Sequence, residues 1–181
     1  MTAAPEFFRP RRLDTIGTRE EVIEVEADAR ERHALALRFG LLAIDRLVAT
    51  IRLHREGDGV VAEGKVTAAV VQPCSVTDDP VPAHVEEPFS IRFVPEQPGG
   101  GGGEEELELD EQAMDTVFFS GGAIDLGEAA AETLALALDP YPRSPRAAEV
   151  LREAGVVSEE EAGPFGGLAA IRDALARRTP E

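Results

Sequence analysis

The feature that most constrains the fold is a pair of long segments in which every second residue is apolar. The first segment begins at Arg46, the second ends near Val70, and Gly57-Asp58-Gly59 lies between them. A period of two is typical of strands with one buried face, and a short Gly-Asp-Gly turn predicts an antiparallel hairpin. The second segment is about twice the usual strand length, so we expect it to bend at Gly64.

Further alternating segments extend this hairpin into a larger antiparallel sheet. Residues 83–93 predict a third strand, in which Pro88 lacks a backbone donor and should lie at an edge or a bulge. Residues 21–27 predict a short strand before the hairpin, and residues 117–119 predict another short strand after it. The pattern therefore predicts an antiparallel sheet that is open or partly closed towards a barrel.

A first covering helix is predicted to begin after Asp28. Glu31 follows Asp28 by three residues, which is the spacing of a capping box, and Gly40 is placed to end the helix.

A second helix is predicted to begin after Asp125. Glu128 again has the capping-box spacing, and Pro140 requires the helix to end by Asp139. The apolar residues at helical spacing, which should form its buried stripe, are Leu126, Ala130, Leu134, Ala137 and Leu138.

Composition divides the chain into one α+β domain, residues 1–145, and a helical C-terminal extension, residues 146–181. Within the domain, residues 95–106 contain five consecutive glycines followed by three glutamates, which predicts a flexible loop. In the extension, residues 147–154 and 168–176 have helical patterns. Residues 1–10 are predicted to be a loose arm.

The formal charge is −17, from 35 acidic and 18 basic residues. Such a charge repels phosphate backbones and favours basic partners, although it could also serve only solubility. The one candidate for a direct RNA contact is the N-terminal arm, since basic and aromatic residues together can contact phosphate and stack on bases. Its residues are Phe7, Phe8, Arg9, Arg11 and Arg12; the alternative is a disordered terminus with no such role.

Residue patterns for catalysis, cofactor binding or membrane insertion are missing from the sequence. The three histidines, His33, His54 and His84, lack the spacing of a metal-ligand set, and Asp78 and Asp79 are expected to accept from local amides. The single cysteine excludes an internal disulfide, and no run of about 18 apolar residues occurs. We therefore expect a soluble, cytoplasmic protein that is not an enzyme and binds neither a membrane nor a cofactor.

Two segments resemble the markers of a known family. Ile124-Asp125-Leu126-Gly127, then Glu132 before an Ala/Leu run, then L-D-P-Y-P-R at 138–143, is similar to the C-terminal signature of the YceD family. Residues 71–77 resemble its other marker, a cysteine-containing turn after a long strand, and the likeness spans roughly residues 22–145.

Members of that family are described as large ribosomal RNA subunit accumulation proteins. The resemblance implies a non-catalytic factor that supports large-subunit ribosomal RNA accumulation, with a ribosomal protein or a pre-ribosomal particle as partner. It also implies a set of binding residues, namely Cys74, Glu132, Asp139, Tyr141 and Arg143. The alternative, which depends on charge alone, is an acidic module for a basic partner unrelated to ribosomes.

The resemblance does not imply metal binding by this chain, because all but one of the cysteines of the family pattern are missing from it. Many relatives have a C-x-x-C at the position of Cys74. They also have more cysteines after the proline-rich exit, by which we mean residues 140–145 that follow the second helix, and such a set could hold zinc. Here Thr77 occupies the second position and no cysteine follows Pro145. We therefore expect no metal, and we expect Cys74 to be a small apolar turn residue.

Overall fold

Two sheets and three α-helices are present in a computed structural model that describes residues 5–96 and 115–156. The elements follow one another as β1 (Pro10–Arg12), a 3-10 turn (Leu13–Thr15), β2 (Glu21–Glu26), α1 (Ala29–Phe39), β3 (Ala43–Glu56), β4 (Gly59–Pro73), β5 (Pro80–Pro95), β6 (Asp115–Phe119), β7 (Ala123–Asp125), α2 (Leu126–Ala137) and α3 (Ala147–Glu153). The larger sheet has the order β2-β3-β4-β5-β6, and β1 pairs with β7.

The predicted hairpin is confirmed as β3 and β4, which are antiparallel and pair from Ala43 with Val71 to Glu56 with Gly59. Gly57, at the first loop position, has φ of +60°, the sign that a type II′ hairpin turn requires there. Gly64 lies inside the continuous strand β4, where a Cβ atom would collide with the carbonyl oxygen of Thr50. Glycine at this position therefore allows close approach of β3, and the register shift in the pair lies elsewhere, between Ile44 and Arg46.

The α+β class and the predominantly antiparallel sheet are confirmed, and the sheet is open rather than closed into a barrel in the described residues. One strand departs from the predicted antiparallel arrangement. β6 pairs with β5 in parallel, from Ile91 with Asp115 to Pro95 with Phe119. Pro88 precedes this paired stretch, so its missing donor removes no bond to β6.

Helix α1 begins and ends as predicted. The Asp28 carboxylate accepts from the amides of Arg30 (2.7 Å) and Glu31 (2.9 Å), and the Glu31 carboxylate accepts from the Asp28 amide (2.7 Å). Gly40 ends the helix with φ of +67°, a left-handed conformation that residues with a Cβ rarely adopt.

Helix α2 has the predicted N-cap but only half of the predicted capping box. Asp125 Oδ1 accepts from the amides of Gly127 (3.0 Å) and Glu128 (3.3 Å). The Glu128 carboxylate, however, pairs with Arg38 of α1 at 2.6 Å, because a guanidinium within reach offers it a charged donor. The helix ends at Ala137, before Pro140, as expected.

The core is aliphatic and lies between the two helices and one face of the sheet. Leu35 of α1 and Leu134 of α2 are fully buried with Leu47 and Ile51 of β3. In the predicted stripe, Leu126, Ala130 and Leu134 are buried, whereas Ala137 and Leu138 are half-buried at the end of α2.

The prediction of a loose N-terminal arm is wrong for residues 5–10. The Phe7 side chain is fully buried in the core. The Arg9 amide donates to Asp125 Oδ1 (2.8 Å), and the Arg9 carbonyl accepts from the Leu126 amide (3.1 Å). Burial of an aromatic ring and pairing of β1 with β7 together offset the entropy of ordering this segment.

The described chain belongs to two compact units. Residues 5–72, 82–96 and 115–140 form the first, which contains both sheets, and residues 73–81 and 141–156 form the second. Helix α3 agrees with the helical pattern predicted at 147–154. The predicted flexible loop at 95–106 is wrong for its first two residues, since Pro95 pairs with Phe119 in β6 and the Glu96 amide donates to the Phe119 carbonyl at 2.9 Å. The rest of that loop and the predicted helix at 168–176 lie outside the described residues, and the domain division at residue 145 stays a prediction.

We predict that Phe7→Ala lowers the free energy of unfolding by about 3–5 kcal/mol, since it removes a fully buried ring. The matched control is Phe8→Ala, because the Phe8 side chain is 53% exposed and its loss should cost less than about 0.5 kcal/mol. Urea unfolding of both variants is the measurement. Equal midpoints for the two would contradict the buried position of Phe7.

We predict that Gly127→Ala destabilises the protein by roughly 1–3 kcal/mol, although alanine favours helices, because its Cβ would overlap the Phe7 carbonyl oxygen. Gly122→Ala is the control, since a Cβ there meets no atom within 4 Å. Thermal unfolding should show a lower Tm for the Gly127 variant only. An unchanged Tm would show that residue 7 does not pass over the first turn of α2.

Candidate functional site

Helix α2 places Glu132 on its exposed side, away from the buried stripe. The pKa of Glu132 is raised, first because partial burial disfavours the charged form and second because Glu128 lies one turn away; Arg38 opposes these effects. This carboxylate is exposed and is not part of the core, which agrees with its absence from the buried stripe predicted for the helix.

Asp139 follows α2, where its backbone is fixed by a buried side chain. The amide group of Gln72, at the end of β4, donates from Nε2 to the Asp139 carbonyl oxygen at 2.8 Å. Gln72 is one of the few buried polar residues in the described chain. The contact therefore holds the exit of α2 at the end of the longest hairpin strand.

The second compact unit joins the cysteine-containing turn to the proline-rich exit. The Ser75 amide and hydroxyl both donate to the carbonyl oxygen of Pro142, at 2.8 and 3.1 Å. Within the turn, the Cys74 amide donates to the Asp79 carbonyl (2.8 Å), and the Asp78 amide donates to the Cys74 carbonyl (3.0 Å). Asp78 adopts φ of +56°, in the left-handed region that Asp tolerates better than most residues.

The Cys74 thiol is buried and accepts two backbone hydrogen bonds. The Ser144 amide donates to Sγ at 3.2 Å, and the Val76 amide donates at 3.5 Å. Burial acts to raise the pKa of the thiol, but these bonds, with those of the Thr77 and Ser144 hydroxyls, outweigh it and lower the pKa to about 6. Cys74 is therefore both the predicted small buried residue and a hydrogen-bond acceptor.

The Asp79 carboxylate is bonded by three side chains of the second compact unit. We call this group the Asp79 cluster and define it as Thr77, Asp79, Ser144 and Arg146. Both hydroxyls donate to Asp79 Oδ2, Thr77 at 2.8 Å and Ser144 at 3.1 Å, and Arg146 Nη1 lies 3.2 Å from Oδ1. The Thr77 bond is the main reason that the pKa of Asp79 is lowered, followed by the bond from Ser144 and the charge of Arg146, against an opposing effect of burial. The expectation that Asp79 accepts from local amides is wrong, since hydroxyl and guanidinium donors occupy its carboxylate.

Tyr141 and Arg143 are exposed on the exit segment, on either side of the buried Pro142. Their backbone is fixed by the bonds to Pro142 and Ser144 just described. Of the five residues implied by the resemblance, Glu132, Asp139, Tyr141 and Arg143 are therefore at the surface, whereas Cys74 is buried beneath the exit.

Sequence reasoning missed Thr77, Asp79 and Ser144 as partners of one another. The only available signal was a run of polar residues around Cys74, together with a serine in a proline-rich segment. Ser144 is 70 residues from Cys74, so no local pattern could connect them.

The basic residues of the N-terminal arm are engaged within the protein. Arg9 makes two bonds to Glu31, at 2.6 and 2.8 Å, and lies over the Phe7 ring at 4.6 Å. Arg11 pairs with Glu21 (2.7 Å) and Arg12 pairs with Asp14 (2.6 Å). These contacts neutralise the arm, so the structure does not support it as an RNA contact.

Within residues 5–96 and 115–156, no cluster of three or more His, Cys, Asp or Glu side chains has the arrangement of a metal site. In the same ranges, none of the helices has both the length and the apolar character needed to span a bilayer.

We predict that the Cys74 thiolate absorbance at 240 nm titrates near pH 6 in the folded protein and near the ordinary value of 9.0 in urea. Because the folded pKa is the lower one, the unfolded chain binds more protons between these values, and the free energy of unfolding should rise from about pH 6 to about pH 9. Cys74→Ala, which removes the only thiol, serves as the blank and should lack this additional slope. A folded-state midpoint above pH 8 would contradict the hydrogen-bonded thiolate.

Comparison with known proteins gives one match. The model of the family described as large ribosomal RNA subunit accumulation protein YceD matches residues 62–172, which is more than half of the chain. No match is found among curated proteins or among solved structures. The matched region contains most of β4, the Cys74 turn, α2 and the exit segment, which are the elements that carry the resemblance in sequence. The chain therefore belongs to the YceD family.

Proposed function

We propose that this protein supports the accumulation of large-subunit ribosomal RNA as a non-catalytic factor in ribosome biogenesis. The observation that carries the proposal is the family match, whose description names ribosomal RNA accumulation and no reaction. The protein would act by occupying a site on a partner, in the cytoplasm, where ribosomes assemble.

The proposed contact residues are the exposed members of the family-like motif. Glu132 and Asp139 belong to the first compact unit, and Tyr141 and Arg143 belong to the second. Tyr141 offers an amphipathic ring and Arg143 a planar guanidinium, both common in protein interfaces. Cys74 has a different proposed role: with the Asp79 cluster, it fixes the backbone on which Tyr141 and Arg143 are carried.

A basic ribosomal protein, alone or within a pre-ribosomal particle, is the proposed partner. Support comes from the formal charge of −17 and from the pairing of Arg9, Arg11 and Arg12 with acidic side chains. Such a surface attracts cationic proteins and repels phosphate. The same observations favour the second candidate, an acidic module for a basic partner unrelated to ribosomes, which the experiment below distinguishes.

We predict that a strain lacking the gene has a lower ratio of large-subunit to small-subunit ribosomal RNA during rapid growth. Expression of the wild type should restore the ratio, and the double variant Tyr141→Ala/Arg143→Ala should restore it only in part. The matched control is Phe8→Ala/Arg30→Ala, which removes an exposed aromatic ring and an exposed arginine elsewhere. RNA electrophoresis gives the ratio, and circular dichroism checks that both variants fold.

An unchanged ratio in the deletion strain would refute the ribosomal role and leave the acidic module. A lowered ratio that both double variants restore equally would keep the ribosomal role and remove Tyr141 and Arg143 from the contact.

A further inference from the structure

We propose that the exposed side of α2, together with the C-terminal end of α1 and the residue Leu42 that follows it, forms a docking surface for a basic, amphipathic segment of a partner protein. We call it the leucine–acid surface and define it by Leu37, Leu42, Leu136 and Glu132. It refines the proposed function, on which its link to ribosomal proteins rests, by naming the place on this chain that a basic protein contacts and the chemistry of the segment that binds.

The surface begins with three large apolar side chains that the fold leaves uncovered. Leu37 is 71% exposed, Leu42 55% and Leu136 87%. Other leucines of the same helices, such as Leu35 and Leu134, are fully buried, so each helix has one buried side and one exposed side. Exposed apolar side chains grouped at one place, with polar residues around them, mark interaction sites more often than scattered ones do.

The C-terminal end of α1 contacts the first turn of α2. Arg38, next to Leu37, bonds to Glu128 in the first turn of α2 at 2.6 Å. Glu128 and Glu132 are one turn apart, and Leu136 follows after another turn, so these three side chains share one stripe of α2.

A second connection lies at the far end of α2. The Leu42 amide donates to the Val71 carbonyl at 2.8 Å, and the adjacent residue, Gln72, donates to the Asp139 carbonyl at 2.8 Å. Leu42 and the end of α2 are therefore both held at the same end of β4. All three leucines belong to the first compact unit.

Glu132 supplies the charge of the surface. Glu128 and Glu31 each pair with an arginine, whereas the Glu132 carboxylate has neither a hydrogen bond nor an ion pair within residues 5–96 and 115–156. Arg38 is already bonded to Glu6 and Glu128, so this nearby cation is occupied. A carboxylate one turn from the exposed Leu136 and without a cation would gain most from a Lys or Arg of a partner.

These features together favour a basic protein segment over other occupants. Nucleic acid would place phosphate beside Glu132, which charge repulsion opposes. A symmetric pair of this chain would bring two copies of Glu132 into one interface, which also costs energy. A helix or extended segment with apolar residues on one side and Lys or Arg beside them matches both the leucines and the carboxylate.

The test uses protein extracted from purified large ribosomal subunits, freed of RNA, as the probe. A photo-crosslinking amino acid replaces Leu136 in one sample and Phe118 in another; Phe118 is similarly accessible, at 66% exposed, and lies on β6. We expect crosslinking from position 136 to a basic protein and little from position 118. The basic protein identified by crosslinking is then purified by itself. Its affinity is measured for the wild type and for the variants described next, none of which carries the crosslinking amino acid.

Glu132→Gln should weaken that affinity about tenfold, the change expected when one charged hydrogen bond is lost, and Leu136→Gln should weaken it similarly. Glu24→Gln, which alters an exposed glutamate on β2, is the matched control and should leave it unchanged. Added salt should weaken binding of the wild type more than binding of Glu132→Gln, because the ion pair is screened.

Four outcomes would overturn the proposal. They are equal crosslinking from positions 118 and 136, crosslinking of the chain to itself, preferential binding of RNA, and equal affinity of Glu132→Gln and Glu24→Gln.

Failure of this surface is distinguishable from failure of the proposed function. If gene loss lowers the ribosomal RNA ratio and Glu132→Gln/Leu136→Gln restores it fully, the surface is wrong and the ribosomal role stands. If gene loss leaves the ratio unchanged, the ribosomal role is wrong, while the crosslinking and affinity measurements still decide the surface.

Discussion

Burial of the aliphatic side of α2 against the sheet is the interaction on which the first compact unit depends. Leu126, Ala130 and Leu134 point into a core with few aromatic rings, so many small aliphatic contacts must replace a few large ones. Alanines on this helix permit close packing at three successive positions, 129–131, all of them buried. The same helix begins with the residues that hold the N-terminal segment and ends with residues held by β4.

The motif Ile124-Asp125-Leu126-Gly127 has a structural explanation in this arrangement. Asp125 accepts from its own helix and from Arg9, Leu126 enters the core and donates its amide to Arg9, and Gly127 leaves space for the Phe7 backbone. Asp125, Leu126 and Gly127 therefore each combine the start of a helix with the anchoring of the N-terminal segment. The motif supports the fold, whereas Glu132 and Leu136, which follow it on the exposed side of α2, contribute little to the core.

Local signals in the sequence predicted the hairpin of β3 and β4 and the caps of α1, because Gly57, Asp28 and Gly40 act on residues beside them. The pairing of β1 with β7 was missed, since each strand has only three residues and neither shows a periodic pattern. The parallel pairing of β6 was missed for a similar reason: five residues predict a strand but not its direction.

In the candidate site, too, local signals were sufficient for some residues and insufficient for others. Helical spacing was sufficient to place Glu132 away from the core, because Leu134 and Ala130 fix the orientation of α2. It was not sufficient to find the bonds from Ser144 to Cys74 and Asp79, which depend on how the proline-rich exit returns to the turn. Cys74 illustrates the consequence, since its residue type predicted burial correctly and gave no indication of its donors.

The contact between Arg9 and Asp125 joins residues 116 positions apart, which has a consequence for synthesis of the chain. Phe7 leaves the ribosome early, yet β7 and α2, which bind the N-terminal segment, are made more than a hundred residues later. At an elongation rate of about 5–20 residues per second, the ring stays without its binding site for roughly 6–23 seconds. Closure of the N-terminal segment over α2 must therefore be a late step of folding. A nascent chain paused before Asp125 would present Phe7 to chaperones, whereas a completed chain would hide it.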